Sequence, residues 1–178
     1  MTWSERAARI RAIVLDVDGV LTDGTVGYGP DGATFKRFDV RDGQAIRMAL
    51  EAGLKVGVLS GRADPGTSLR AEELGLDFAY LGQSDKLAGF EKLLAEHDLD
   101  ASECLYVGDD LTDVPVLRRA GIGAAVADAL PEVRERCDLV LEASGGRGAV
   151  REAIVRLMEA QGTWKRAAAR YLEPDGGS

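Results

Sequence analysis

The sequence predicts an α/β fold in three layers, with helices on both faces of a mostly parallel sheet, and three observations carry that reading. Short apolar runs alternate with helix-period segments along almost the whole chain, the pattern of repeated βαβ units. Acidic, hydroxylated and glycine residues gather directly after several of those runs, where a parallel sheet presents its ligand-binding edge. The 178 residues, 46% of them apolar, suffice for one substantial core. A single domain is therefore expected over 1–162, followed by a tail, 163–178.

The elements follow in order. Ala12–Leu15 is an apolar β-run and reads as a buried first strand. Segments 25–28 and 33–38 are β-prone arms around Gly29-Pro30-Asp31-Gly32, a hairpin over about 24–38 that projects as a flap. Gly27, Gly29 and Gly32 match G-x-G-x-x-G by spacing, but a hairpin opens no helix, so the match is set aside. Further strands are expected at Lys55–Leu59, 78–81, 104–107, 123–126 and 139–141, and helices at 43–53, 66–75, 85–97, 112–120 and 147–160. Asp64-Pro65 supplies an N-cap and a first-turn proline. Gly53, Gly75 and Gly121 stand where helices should stop. In the tail, Trp164, Tyr171 and Leu172 punctuate a basic, alanine-rich stretch that reads as a short docking helix, fraying into Pro-Asp-Gly-Gly-Ser.

A net charge of −8 argues against nucleic acid and anionic membrane surfaces as partners. No apolar run approaches the roughly 20 residues of a membrane span, and the first residues carry no apolar signal region. Cys104 and Cys137 lack metal or redox spacing and read as reduced thiols, so the expected location is cytoplasmic.

The chemistry concentrates in Asp16-Val17-Asp18-Gly19, directly after the first strand. Residues i and i+2 of an extended chain point the same way, so both acids can face one ligand. Three more features sit at strand ends: Ser60-Gly61-Arg62, then Lys86 opening a helix, then Gly108-Asp109-Asp110-Leu111-Thr112-Asp113. Parallel strands share a carboxyl edge, so these positions can converge. The set meets the needs of phosphoryl transfer: a carboxylate to attack phosphorus, oxygen ligands for Mg²⁺, and a hydroxyl and an ammonium for the phosphoryl oxygens. Each member also has a plainer reading. Asp18-Gly19 could merely turn the chain, Ser60 could cap a helix, and Lys86 could be solvated. Asp109, Asp110 and Asp113 could charge a helix N-terminus.

The ordered set Asp16, Asp18, Ser60, Lys86 and Asp109 resembles the haloacid dehalogenase-like superfamily of phosphohydrolases. The resemblance implies a Rossmann-like α/β/α fold, Asp16 as nucleophile, and Asp18 as the group that protonates the leaving oxygen and then activates water. It implies that Ser60 and Lys86 grip the phosphoryl, that Asp16, the Asp18 carbonyl and Asp109 hold Mg²⁺, and that Asp110 and Asp113 lie outside the ligand shell. Many members carry an inserted cap, for which segments 19–59 and 61–85 leave no room. Phe38-Asp39-Val40-Arg41-Asp42-Gly43, Gly82-Gln83-Ser84-Asp85-Lys86, Val126-Ala127-Asp128-Ala129 and Gly145-Gly146-Arg147-Gly148-Ala149 narrow the likeness. They are similar to the capless 3-deoxy-D-manno-octulosonate 8-phosphate phosphatase family. That implies a small phosphorylated sugar acid as substrate, contacted by Ser60, Gly61, Arg62, Lys86 and Arg147. It also implies a homotetramer in which hairpins associate and a neighbour's tail helps close each site. The chain departs from the family pattern at Ser60 (often threonine), at Asp64-Pro65-Gly66, and at Leu130, where a histidine is common.

Two other readings stand beside this one. A phosphatase for a nonulosonate 9-phosphate would use the same chemistry. A non-catalytic or phospho-accepting regulatory domain also uses paired acids, a hydroxyl, a lysine and Mg²⁺, but there the lysine comes last, whereas Lys86 precedes Asp109.

Overall fold

Ala12–Leu15 (β1) is buried along its whole length in the computed structural model, which describes residues 2–172. A strand with no solvent face belongs inside a parallel sheet covered on both sides. Accordingly β1 pairs in parallel with Lys55–Leu59 (β4) on one side and Cys104–Gly108 (β6) on the other. Phe78–Tyr80 (β5) extends the sheet past β4, while Ile122–Ala125 (β7) and Leu139–Val140 (β8) extend it past β6. The spatial order is β5-β4-β1-β6-β7-β8, and each pairing is parallel. The winding therefore reverses between β1 and β6, which places the ligand crevice at the carboxyl ends of those two strands.

Helices cover the sheet in two groups, as the expected three-layer α/β/α class requires. Val40–Glu51 (α2) packs on Ala149–Ala160 (α7), with Trp3–Ala7 (α1), Pro65–Leu74 (α3) and Trp164–Leu172 (α8) against that pair. Lys86–His97 (α4) packs on Val114–Arg119 (α5), and Pro131–Arg134 (α6) is one short turn. Gly27–Tyr28 (β2) and Thr34–Phe35 (β3) pair antiparallel as a separate ribbon, shorter than the arms expected from sequence. Only the hairpin, α2 and β4 lie between Asp18 and Ser60, and only α3 and β5 between Ser60 and Lys86.

Several boundaries move for identifiable reasons. Helix α2 starts three residues early because Asp39 caps it, accepting from the Arg41 N–H at 2.8 Å. Helix α5 is short because Leu111–Asp113 form a tighter 3₁₀ turn capped by Asp110. Gly75 ends α3 in the left-handed region, as expected. Gly121 does not terminate a helix that way: a Cβ there would overlap the Ser102 backbone, so close approach is what requires glycine. Helix α8 docks on its own chain, with Arg151 stacked over Trp164 at 5.5 Å and Gln44 donating to the Tyr171 hydroxyl at 2.8 Å. The Pro-Asp-Gly-Gly-Ser end lies outside the described residues.

Candidate active site

Asp16 leaves β1 with its N–H bonded to Val107 O at 3.0 Å, so the carboxyl emerges at the switch between β1 and β6. The chain then folds back on itself: the N–H groups of Val20, Leu21 and Thr22 all reach Val17 O. That tight loop holds Asp18 in the turn directly after the strand, where its side chain pairs with Lys36 and not with the Asp16 cluster. Gly19 takes a left-handed φ of 91°, and a Cβ there would run into the Asp109 carboxylate, so this glycine is required twice over. Asp109 itself follows β6, which carries it to the same crevice.

Lys86 is not solvated. It is 7% exposed, and its ammonium lies 2.8 Å from Asp16 Oδ1 and 2.6 Å from Asp113 Oδ1. Asp85 caps α4 by accepting from Ala88 N–H and so sets the direction from which Lys86 enters. Asp113 is fully buried and saturated. Its Oδ1 accepts from Lys86 and from the Tyr106 hydroxyl, each at 2.6 Å, and its Oδ2 accepts from the N–H groups of Asp109 and Asp110 at 3.0 and 3.1 Å. It braces both the lysine and the Asp109 loop. Asp110 caps the 3₁₀ turn, the plainer of its two sequence readings.

Electrostatics follow from three acids and one cation in little water. Burial, reinforced by Asp113, pushes the Asp16 carboxyl up to about 6 despite Lys86. Burial beside Asp16 and Asp113 pushes Asp109 up to about 8. Burial opposes the Lys86 charge, but Asp16 and Asp113 outweigh it and raise the ammonium above its ordinary value. Such a cluster is short of positive charge. Asp16, Asp109 and Asp113 each offer an oxygen within 4.8 Å of the others, and Asp109 Oδ1 is buried without a hydrogen-bond donor. An all-oxygen donor set of this kind suits a small hard cation such as Mg²⁺. Because the oxygens of Asp113 are already engaged, Asp16 and Asp109 are the side chains left to ligate it.

Ser60 continues β4, with its N–H bonded to Tyr80 O, and lies on the strand adjoining Asp16. It is buried, and its Oγ accepts from Arg62 N–H at 3.2 Å, turning the chain much as a cap would. Gly61 and Arg62 are exposed beyond it. Arg147 is exposed on the Gly145–Gly148 loop, and none of its described contacts joins it to the acid cluster. The loop backbone is nonetheless clamped to the site. A Cβ on Gly145 would overlap Gly19 O, and one on Gly146 would overlap Thr22 and Asp23, while Asp128 accepts from Gly145 N–H at 3.0 Å. The glycine pair thus lets the loop lie directly on the turn that carries Asp18.

One residue escaped the sequence reading. Lys36, just after β3, has a side chain only 3% exposed, with its ammonium 2.8 Å from Asp18 Oδ1 and 2.6 Å from Asp64 Oδ2. A lysine in a hairpin ordinarily reads as solvated, and nothing in the sequence sets this one apart. By contrast, a cavity of about 580 Å³ lined by Arg6, Arg118, Arg136 and Asp138 lies toward the amino ends of β7 and β8. It contains neither the acid pair nor the lysines, so convergence of residues, not cavity size, locates the site.

Comparison with known proteins fits this geometry. A sequence profile of haloacid dehalogenase-like hydrolases matches residues 80–154. The 3-deoxy-D-manno-octulosonate 8-phosphate phosphatase KdsC of Escherichia coli K12 is 45% identical over 157 residues, spanning 88% of this chain and 84% of that protein. The crystal structure of a probable YrbI-family phosphatase from Pseudomonas syringae superposes with a TM-score of 0.93 at 42% identity, covering 96% of this chain and 97% of the other. A phosphatase of the octulosonate type from Moraxella catarrhalis, solved in complex with magnesium, phosphate and KDO, superposes with a TM-score of 0.92 at 33% identity, covering 94% and 97%.

Proposed function

Because the chain belongs to the haloacid dehalogenase-like hydrolases, and within them to the 3-deoxy-D-manno-octulosonate 8-phosphate phosphatase family, we propose that it hydrolyses that phosphomonoester to the free sugar acid and phosphate. The observation that carries the reading is the meeting of Asp16, Lys86 and Asp109 at the switch point, with Asp18 two residues after Asp16 along the chain. In the first half-reaction an Asp16 oxygen attacks phosphorus and the bond from phosphorus to the sugar oxygen breaks. Asp18 delivers a proton to that departing oxygen, so the sugar acid leaves neutral at the former ester position. In the second half-reaction Asp18 takes a proton from water, the water oxygen bonds to phosphorus, and the bond from phosphorus to the Asp16 oxygen of the acyl phosphate breaks, which releases phosphate and restores the carboxylate. Lys86 and the Ser60 hydroxyl hold the phosphoryl oxygens as charge shifts across them.

Mg²⁺ is the cofactor; Asp16, Asp109 and the Asp18 carbonyl would hold it, and it would neutralise charge on the phosphoryl group. Gly61, Arg62 and Arg147 complete the substrate contacts, the arginines suiting a carboxylate through their planar fork. The exposed aromatic hairpin, with Tyr28 68% and Phe35 56% exposed, supports assembly into a homotetramer through the flaps. Among the described residues no helix is long and apolar enough to cross a membrane, and both cysteines are free, which supports a cytoplasmic location. The test is phosphate release from a panel of sugar phosphates with Mg²⁺ titrated. The octulosonate 8-phosphate is expected to give the highest kcat/KM, with no turnover in a chelator. Preference for a nonulosonate 9-phosphate would reassign the sugar, and a panel with no release at all would remove the enzyme reading.

A further inference from the structure

We propose that Lys36 is a positioning residue for the acid–base step, a strut that ties the hairpin flap to Asp18 and is itself anchored by Asp64. The inference rests on the reading of Asp18 as proton donor and acceptor. Lys36 leaves the hairpin directly after β3 and turns inward, where its ammonium is bound by acids from two other segments. One is Asp18 on the catalytic turn, and the other is Asp64 at the start of α3. The anchor is well built. Asp64 Oδ1 accepts from Thr67 N–H at 2.9 Å and Oδ2 from the Thr67 hydroxyl at 2.6 Å, while Lys36 also donates to that hydroxyl at 3.3 Å. Burial alone would raise the Asp64 carboxyl, but Lys36 and Thr67 together hold it below its ordinary value.

At the other end, Lys36 meets only Oδ1 of Asp18, as an ion pair out of hydrogen-bond alignment, and both Asp18 oxygens are buried without any hydrogen-bond donor. Lys86, braced by Asp113, holds Asp16, but its described contacts do not extend to Asp18. The strut therefore fixes one Asp18 oxygen in place and leaves Oδ2 to exchange the proton. A buried lysine costs desolvation free energy unless its partners hold it well, so a purely decorative ion pair here would be disfavoured. Because the strut hangs from the hairpin, the position of the flap and the aim of the acid are mechanically linked.

The test exploits leaving-group chemistry. A sugar alkoxide must be protonated as it departs, whereas p-nitrophenolate leaves without that help. A positioned acid–base group contributes about 10²–10⁴-fold, so Lys36→Met is expected to lower kcat/KM for the sugar phosphate by roughly 10–100-fold. For p-nitrophenyl phosphate the same variant should lose less than about threefold. In an Asp18→Asn background Lys36→Met should add no further loss on the sugar ester, the signature of a residue acting through Asp18. Asp64→Ser keeps the cap of α3 and keeps Lys36, and should show a smaller loss with the same ester selectivity. That variant decides the matter if Lys36→Met does not fold. Equal losses on both esters, or losses that multiply in the Asp18→Asn background, would overturn the proposal. Near-normal sugar-ester turnover by Asp18→Asn alone would instead strike the acid–base reading itself, and the strut with it.

Discussion

Replacing Asp113 with asparagine separates a brace from a metal ligand. In the native site one oxygen of Asp113 takes Lys86 and the Tyr106 hydroxyl, and the other takes two backbone N–H groups. Asparagine keeps one oxygen, so its amide N–H₂ must face either the Lys86 and Tyr106 donors or the two N–H groups. Two buried donors lose their acceptor, and Lys86 loses one of its two acidic partners. Breaking a buried ion pair costs about 3–5 kcal/mol, a large share of the roughly 5–15 kcal/mol that holds a domain together. For a chain of this size that corresponds to a fall in Tm of about 6–20 °C. The assay is thermal or urea unfolding in chelator, so that no metal contributes. If Asp113 were instead a direct ligand, removing its charge from the metal-free site would relieve repulsion with Asp16 and Asp109. An unchanged or higher Tm in chelator would therefore refute the bracing role.

Other outcomes follow from the same geometry. The native carboxyls of Asp16 and Asp109 titrate at about 6 and about 8, above their ordinary 3.8, so the metal-free folded state keeps protons that the unfolded chain has released. Its stability should therefore fall as pH rises from about 4 through 8, a slope measurable by urea titration in chelator. Bound Mg²⁺ displaces those protons, so calorimetry should find tighter Mg²⁺ binding at pH 8 than at pH 6, by on the order of a hundredfold. Gly145→Ala pushes a methyl group into Gly19 O and should displace the turn bearing Asp18, lowering kcat by at least about tenfold through misplacement of the acid. A kcat within twofold of wild type would show that the loop does not set that turn. Lys86→Met leaves Asp16 and Asp113 without their cation and should lose both stability and kcat.

The strand–helix alternation and the four strand-end motifs were legible because periodicity and order along the chain survive folding. β1 is apolar throughout and proved central, and Asp64-Pro65 opened α3 as its residues imply. What stayed hidden depends on partners distant in sequence. Lys86 was marked by its place among the strand-end motifs, but Lys36 carries nothing that separates a buried ammonium from a solvated one, since its burial is decided by Asp18 and Asp64 across the fold. The resemblance set Asp113 outside the ligand shell, but its partners, Tyr106 and Lys86, come together only in the fold. Gly121 looked like a helix stop, yet it answers to the Ser102 backbone in another loop.

The most direct measurement is rapid quenching of a single turnover in acid, followed by peptide mass spectrometry. A phosphoryl group on Asp16, formed and consumed at rates that account for kcat and absent in Asp16→Asn, is the predicted result. Phosphate released with no carboxylate ever modified, or a phosphoryl group found on another side chain, would contradict the account.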